Sequence, residues 1–97
     1  MTTIKLELNP KQQGSFLLFE NDEKIGEMVL SISNETITVY HTEVDKNYNG
    51  KGYAKLLLDE LVNYSRKNNF KIIPLCPYVF AQFKRHPDDF KDIWLKN

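Results

Sequence analysis

The chain is expected to fold as a mixed α+β, or α/β, domain in the order β-β-β-β-α-β-α. Three observations lead there. The first half breaks into four β-rich runs separated by turn residues, which reads as an antiparallel meander. A long amphipathic helix pattern follows, from Lys51 to Asn68. After it come one short apolar run and a second helical stretch. A helix between the fourth and fifth strands makes that connection a crossover, so those two strands can run parallel.

Each element has its own signal. Ile4 to Leu8 alternates polar and apolar as a strand, and Asn9-Pro10-Lys11-Gln12-Gln13-Gly14 is a turn cluster. Ser15 to Glu20 is the second strand, closed by Asn21-Asp22-Glu23. Lys24 to Ser33 is the third, with Gly26 marking a bulge or a close approach of backbone. Asn34-Glu35 turns the chain into the fourth strand, Thr36 to about Thr42, rich in β-branched and aromatic residues. In the helix, Ala54, Leu57, Leu58, Leu61 and Val62 recur at three- and four-residue spacing, and Asn68-Asn69 is its stop. Lys71 to Cys76 is the short fifth strand. Pro77 suits the first turn of a helix running to Arg85, because its missing N–H is not needed there. His86-Pro87 breaks that helix, and Asp88 to Leu95 is expected to make a last helical turn or two.

Length and composition bound the function. The 97 residues suffice for one domain, taken as 1–97, with a modest core. Hydrophobic content of 41% and charged content of 27% argue against disorder. The formal net charge is zero, so nothing global draws the chain to nucleic acid or an anionic membrane. A small β-α nucleic-acid binder would suit the sheet but not that charge. No apolar run approaches the roughly 20 residues needed to span a bilayer, and the N-terminus lacks a signal-peptide core. One cysteine, Cys76, rules out an internal disulfide and fits a reducing compartment, so a cytoplasmic location is expected. Two histidines and one cysteine make a poor zinc set, so no metal site is expected.

The chemistry concentrates between Tyr40 and Leu58. A strand runs into a polar turn holding Gly50 and Gly52, and the helix starts there. The first N–H groups of a helix lack internal partners and carry partial positive charge, which suits a phosphate. Glycines let an anion approach the main chain, and Lys46, Lys51 and Lys55 add positive charge. The same pattern also arises as a tight turn for geometry alone. It is neither the Walker pattern nor the dinucleotide fingerprint. Cys76 ends the fifth strand beside a helix start, where a thiolate is favoured; as a small buried hydrophobe it needs no function. If the fourth and fifth strands are neighbours, His41 ends on the same edge of the sheet as Cys76, where it could serve as a base to the thiol; a surface or packing histidine is the plainer alternative. Glu43 shares its pleat face. Phe80, Phe83, Phe90 and Trp94 fall at helical spacing and read as core.

The whole arrangement resembles the GNAT superfamily of acetyl-CoA-dependent N-acetyltransferases. Asn49-Gly50-Lys51-Gly52-Tyr53-Ala54 is similar to that family's pyrophosphate loop, Arg/Gln-x-x-Gly-x-Gly/Ala. Gly52 and Ala54 match its last positions, while Asn49 departs from the usual Arg or Gln. His41-Thr42-Glu43-Val44, Ile73-Pro74-Leu75-Cys76-Pro77 and His86-Pro87 extend the resemblance to its small single-domain (YjdJ-type) group. The resemblance implies acetyl-CoA as co-substrate and an amine acceptor of unknown identity (a small molecule or a protein); no feature of the sequence marks an interface, so a monomer is expected. It implies that the main chain at Val44 pairs with the pantetheine arm, and that the amides of Asn49, Gly50, Lys51, Gly52, Tyr53 and Ala54 hold the pyrophosphate. Cys76 would lie near the thioester, with His41 as candidate base. The tyrosine that protonates the leaving thiolate in larger members falls near Arg85, so that role has no residue here. The group also lacks the helices that usually build the acceptor site between the first two strands. The competing expectation is therefore a non-catalytic acyl-CoA-binding or partner-binding module.

Overall fold

The structure is a computed structural model that describes residues 1–96. Strands β1 (Thr2–Leu8), β2 (Gln13–Glu20), β3 (Glu23–Ser33), β4 (Thr36–Val44) and β5 (Lys71–Pro74) form one sheet, ordered as they occur in the chain. The first four are antiparallel neighbours, and β5 runs parallel to β4. This is the expected mixed sheet. The β2–β3 and β3–β4 hairpins turn through Asn21-Asp22 and Asn34-Glu35, all four at positive φ. Two-residue turns of that kind match the right-handed twist of the strands they join. In the β1–β2 turn, Asn9 Oδ1 accepts from the backbone N–H groups of Lys11 and Gln13, which fixes the loop.

Helix α1 (Tyr53–Asn68) makes the crossover from β4 to β5, and α2 (Pro77–Arg85) and α3 (Pro87–Phe90) follow. One face of the sheet buries Phe16, Leu18, Met28, Leu30, Ile37, Val39 and Ile72 against Leu57, Leu58 and Leu61 of α1 and Val79 and Phe83 of α2. Period 2 on the strands meets period 3.6 on the helices, and the two apolar faces exclude water together. The other face carries half-buried Leu17, Val29, Thr38 and Ile73. The molecule is correspondingly thin, 36 × 34 × 20 Å.

Two bulges and the C-terminus depart from the simple pattern. The β2–β3 register slips at Ile25, next to Gly26, and a Cβ on Gly26 would lie 2.9 Å from the Glu43 carbonyl oxygen. Both features expected of Gly26, a bulge and a close approach, are therefore present. The second slip is in β4: Val29 faces His41 but Leu30 faces Val39, leaving Tyr40 as the extra residue. The stretch from Asp88 to Leu95 is not one helix. Helix α3 ends at Phe90 and a turn follows, in which the Ile93 and Trp94 N–H groups donate to the Phe90 carbonyl; the chain then meets β5, where Ile72 donates to the Ile93 carbonyl and accepts from Leu95 N–H. Those bonds satisfy the outer edge of β5, which would otherwise be an unpaired edge. The fifth strand is also shorter than expected, ending at Pro74, which has no N–H to continue the ladder. Among the described residues no helix is long and apolar enough to cross a membrane.

Candidate acyl-CoA site

The candidate site is built by the parting of β4 and β5. Their parallel register runs from Thr36–Lys71 to Val39–Pro74. The last link is the Cys76 N–H donating to the Val39 carbonyl at 2.8 Å. Beyond it β5 has ended and the chain turns into α2, while β4 continues to Val44. The β5 side of β4 from Tyr40 to Val44 therefore pairs with no strand among the described residues. A wedge opens there whose one wall is free strand edge, able to pair with an extended ligand as a strand would.

The mouth of the wedge is the glycine turn. Asp45 caps a short 3₁₀ turn, Lys46–Tyr48, by accepting from Asn47 N–H at 2.9 Å. Gly50 and Gly52 then take φ of +78° and +83°. A Cβ at either would meet no atom within 4 Å. These glycines thus serve a left-handed backbone, and the space beside them is open to a ligand. Gly52 is the N-cap of α1 and offers no side-chain cap, and no acidic residue lies in the first turn. The helix's leading N–H groups and its positive dipole end are left facing that space. Lys51 Nζ lies over the Tyr48 ring, 5.9 Å from its centre. Lys55 pairs with Asp59 at 3.2 Å. A cleft of about 230 Å³ is lined by Val44, Asn49, Gly50, Gly52, Tyr53 and Ala54, together with Tyr48, Lys55 and Tyr78. Six of the seven candidate cofactor residues thus share one cleft; Lys51 lies between them in sequence and not on its lining.

Tyr53 does a second job with its side chain. Its hydroxyl donates to Glu20 Oε2 at 2.7 Å, and Glu20 also meets the N-terminal ammonium at 3.1 Å. The hydrogen bond from Tyr53 and the ammonium hold the Glu20 carboxyl below the ordinary carboxylate range. The same bond raises the Tyr53 phenol. The start of α1 is thereby tied to the end of β2.

Cys76 is the N-cap residue of α2 rather than a strand residue, and it is 1% exposed. Its Sγ lies 3.2 Å from Thr42 Oγ1, across the wedge. His41 has a different neighbour. Alternation puts it on the opposite face from Thr42, exposed, with Nε2 3.4 Å from Glu43 Oε1. Cys76 and His41 do end at the same edge of the sheet, but their side chains leave it on opposite sides. Sequence reading missed Thr42 as the thiol's partner; Tyr78, which stands too early in α2 for the position near Arg85, lines the cleft. The Tyr78 phenol is raised mainly by burial, then by the charges of Asp59 and Cys76, and so stays protonated. Its signal was its place one residue after Pro77, at the start of the helix that closes the wedge.

The model of the GCN5-related N-acetyl-transferase family matches residues 15–93. Among solved structures, a GCN5-like protein of Staphylococcus aureus is similar over 98% of this chain and 89% of its own, with 27% identity and TM-score 0.72. The ribosomal-protein-S18-alanine N-acetyltransferase of Escherichia coli is similar over 68% of this chain at 18% identity and TM-score 0.63. The PaiA N-acetyltransferase of Thermoplasma acidophilum, in complex with coenzyme A, is similar over 80% at 16% identity and TM-score 0.61. The last two show shared fold. The chain spans 43% and 50% of their lengths. None of the curated proteins is similar enough to this chain to be matched.

Proposed function

Because the chain belongs to the GCN5-related N-acetyl-transferase family, we propose that it binds acetyl-CoA in the wedge between β4 and α2 and moves the acetyl group to an amine. The observation that carries this reading is the glycine turn at the mouth of the wedge, with open space beside both glycines and uncapped N–H groups behind them. In this reading the amides of Asn49 to Ala54 hold the pyrophosphate and the edge of β4 near Val44 pairs with the pantetheine arm. A neighbour of the same fold that was solved with coenzyme A supports it.

Two routes follow for the transfer. In the direct route, His41 takes a proton from the acceptor, whose nitrogen then attacks the thioester carbonyl. The C–S bond breaks and the CoA thiolate takes a proton, for which the protonated Tyr78 is at hand. In the covalent route, Cys76 Sγ attacks the thioester carbonyl and its proton leaves with CoA; the acceptor nitrogen then attacks the acetyl carbonyl on Cys76, the C–S bond breaks, and the nitrogen's proton returns to Sγ. In this reading the cofactor lies in the wedge between β4 and α2, and the acceptor approaches the thioester from the other face of the sheet, where His41 and Glu43 stand. A reducing, cytoplasmic setting suits the free thiol of Cys76.

The test is amine-dependent release of CoA thiol from acetyl-CoA, over a panel of primary amines. Cys76→Ala should lose the covalent route, and full transfer in that variant would remove Cys76 from the mechanism. His41→Gln should slow transfer by roughly 100-fold and flatten the acid side of the pH–rate profile. An unchanged profile would remove His41 as base. A second reading has one observation in its favour. Only Asn9 to Gln12 separate β1 from β2, so no helix inserted there shapes an acceptor pocket. Saturable acetyl-CoA binding with no turnover on any amine would favour a non-catalytic acyl-CoA-binding module.

A further inference from the structure

We propose that Thr42 is the positioning residue for Cys76: its hydroxyl crosses the wedge, fixes the direction of Sγ and supports the sulfur when it is ionised. The inference rests on Cys76 having a part in acyl transfer. It adds a residue for which neither the motif nor the strand pattern gave a role.

The geometry comes from the bulge at Tyr40. Before it, Ile37 and Val39 face the helices. Regular alternation would bring His41 next to that face. The extra residue inverts the order, so Thr42 and Val44 point to the helix side while His41 and Glu43 point away. Thr42 thereby comes to lie opposite the first residue after β5 that can reach it, and Oγ1 stands 3.2 Å from Sγ. At that point the two backbones no longer bond to each other; the contact beyond the last backbone link is this side-chain pair.

A hydroxyl suits both states of the sulfur. It accepts from S–H in the thiol and donates to S⁻ in the thiolate. Threonine is also stiff at χ1, so the oxygen is held rather than searching. Hydrogen bonds to ionised groups are worth more than neutral ones, so the thiolate gains most. Tyr78 of α2 feels the charges of both Cys76 and Asp59 of α1; Tyr78 and Asp59 are negative or neutral and give the thiolate no cation. On β4, His41 and Glu43 are on the far face and engaged with each other. Among the described residues Thr42 is thus the side chain that hydrogen-bonds the sulfur.

The experiment compares wild type, Thr42→Val and Thr42→Ser without cofactor. Valine keeps the size and branch of threonine and removes the hydroxyl; serine keeps the hydroxyl. The rate of Cys76 alkylation by iodoacetamide is measured from pH 6 to 10, with Cys76→Ala as blank. Thr42→Val should react roughly tenfold more slowly at neutral pH, with its rate profile displaced to higher pH, and Thr42→Ser should return to within about threefold of wild type. A matching melting temperature in the three proteins separates this from loss of structure. Equal alkylation profiles in Thr42→Val and wild type would overturn the proposal, as would a change that serine does not restore. A separate arm incubates each protein with acetyl-CoA and weighs it intact. Absence of acetylated Cys76 in wild type would count against the covalent route, while the alkylation profiles would still decide the role of Thr42.

Discussion

Ser65 lies in the interior of α1, fully enclosed, and its hydroxyl has no hydrogen-bond partner among the described residues. A buried polar group left unpaired costs about 1–3 kcal/mol, and alanine is the better helix former. Against this stands a small void where the oxygen was. Ser65→Ala should therefore raise stability by about 1 kcal/mol, read as a higher urea midpoint at unchanged slope. A lower midpoint would mean the hydroxyl has a bonding role. The same scale shows what sequence could supply. Cys76 stood out by type and by its place before Pro77. Its partner did not, because period-2 reasoning along β4 gives His41, and the one-residue slip at Tyr40 hands the position to Thr42. A bulge is decided by the fit of two strands, and nothing local to Tyr40 announces it.

The elements were more legible than their ends. Turn residues and hydrophobic periods marked β1 to β4 and α1 to within a few residues, since those signals are local. The end of β5 and the segment after α3 were not, because both are set by tertiary pairing: Ile93 and Leu95 bond Ile72 across the edge of β5. Gly14 is another case. It looked like part of a turn, yet it is inside β2, paired with both Leu8 and Leu30. A Cβ there would lie 1.9 Å from the Glu7 carbonyl oxygen and 3.0 Å from Leu8 Cα. Gly14→Ala must push β1 away from β2 and should destabilise the fold by about 1–3 kcal/mol. Thermal or urea unfolding checks it; a wild-type midpoint would show that β1 can shift without loss.

At the scale of the molecule, one helical layer covers one face of a thin sheet, and two exposed ionic contacts tie distant segments. Glu20 joins the N-terminus to the start of α1 through Tyr53. Asp92 joins the C-terminal segment to Arg66 of α1, with Nε–Oδ2 at 3.0 Å. The Arg66 hydrogen bond holds Asp92 below its ordinary 3.8, and the Tyr53 bond and N-terminal charge hold Glu20 below 4.5. A carboxyl lowered on folding stabilises above its unfolded value, and that contribution is lost as pH falls through the lowered folded value. Stability should thus decline below about pH 4.5, and Arg66→Gln should make the decline shallower. An identical acid slope in that variant would show that the Arg66 contact contributes nothing in solution, as exposed pairs sometimes do.

The central claim is that the glycine turn and the wedge behind it hold acetyl-CoA. Calorimetric titration of the protein with acetyl-CoA tests it most directly, with Gly52→Glu as the control that puts a side chain and a negative charge where the pyrophosphate would sit. Far-UV circular dichroism establishes that the control is folded. Saturable binding in the wild type, lost in Gly52→Glu, is the expected result. No saturable binding at millimolar acetyl-CoA, or equal binding in the two proteins, would contradict the account.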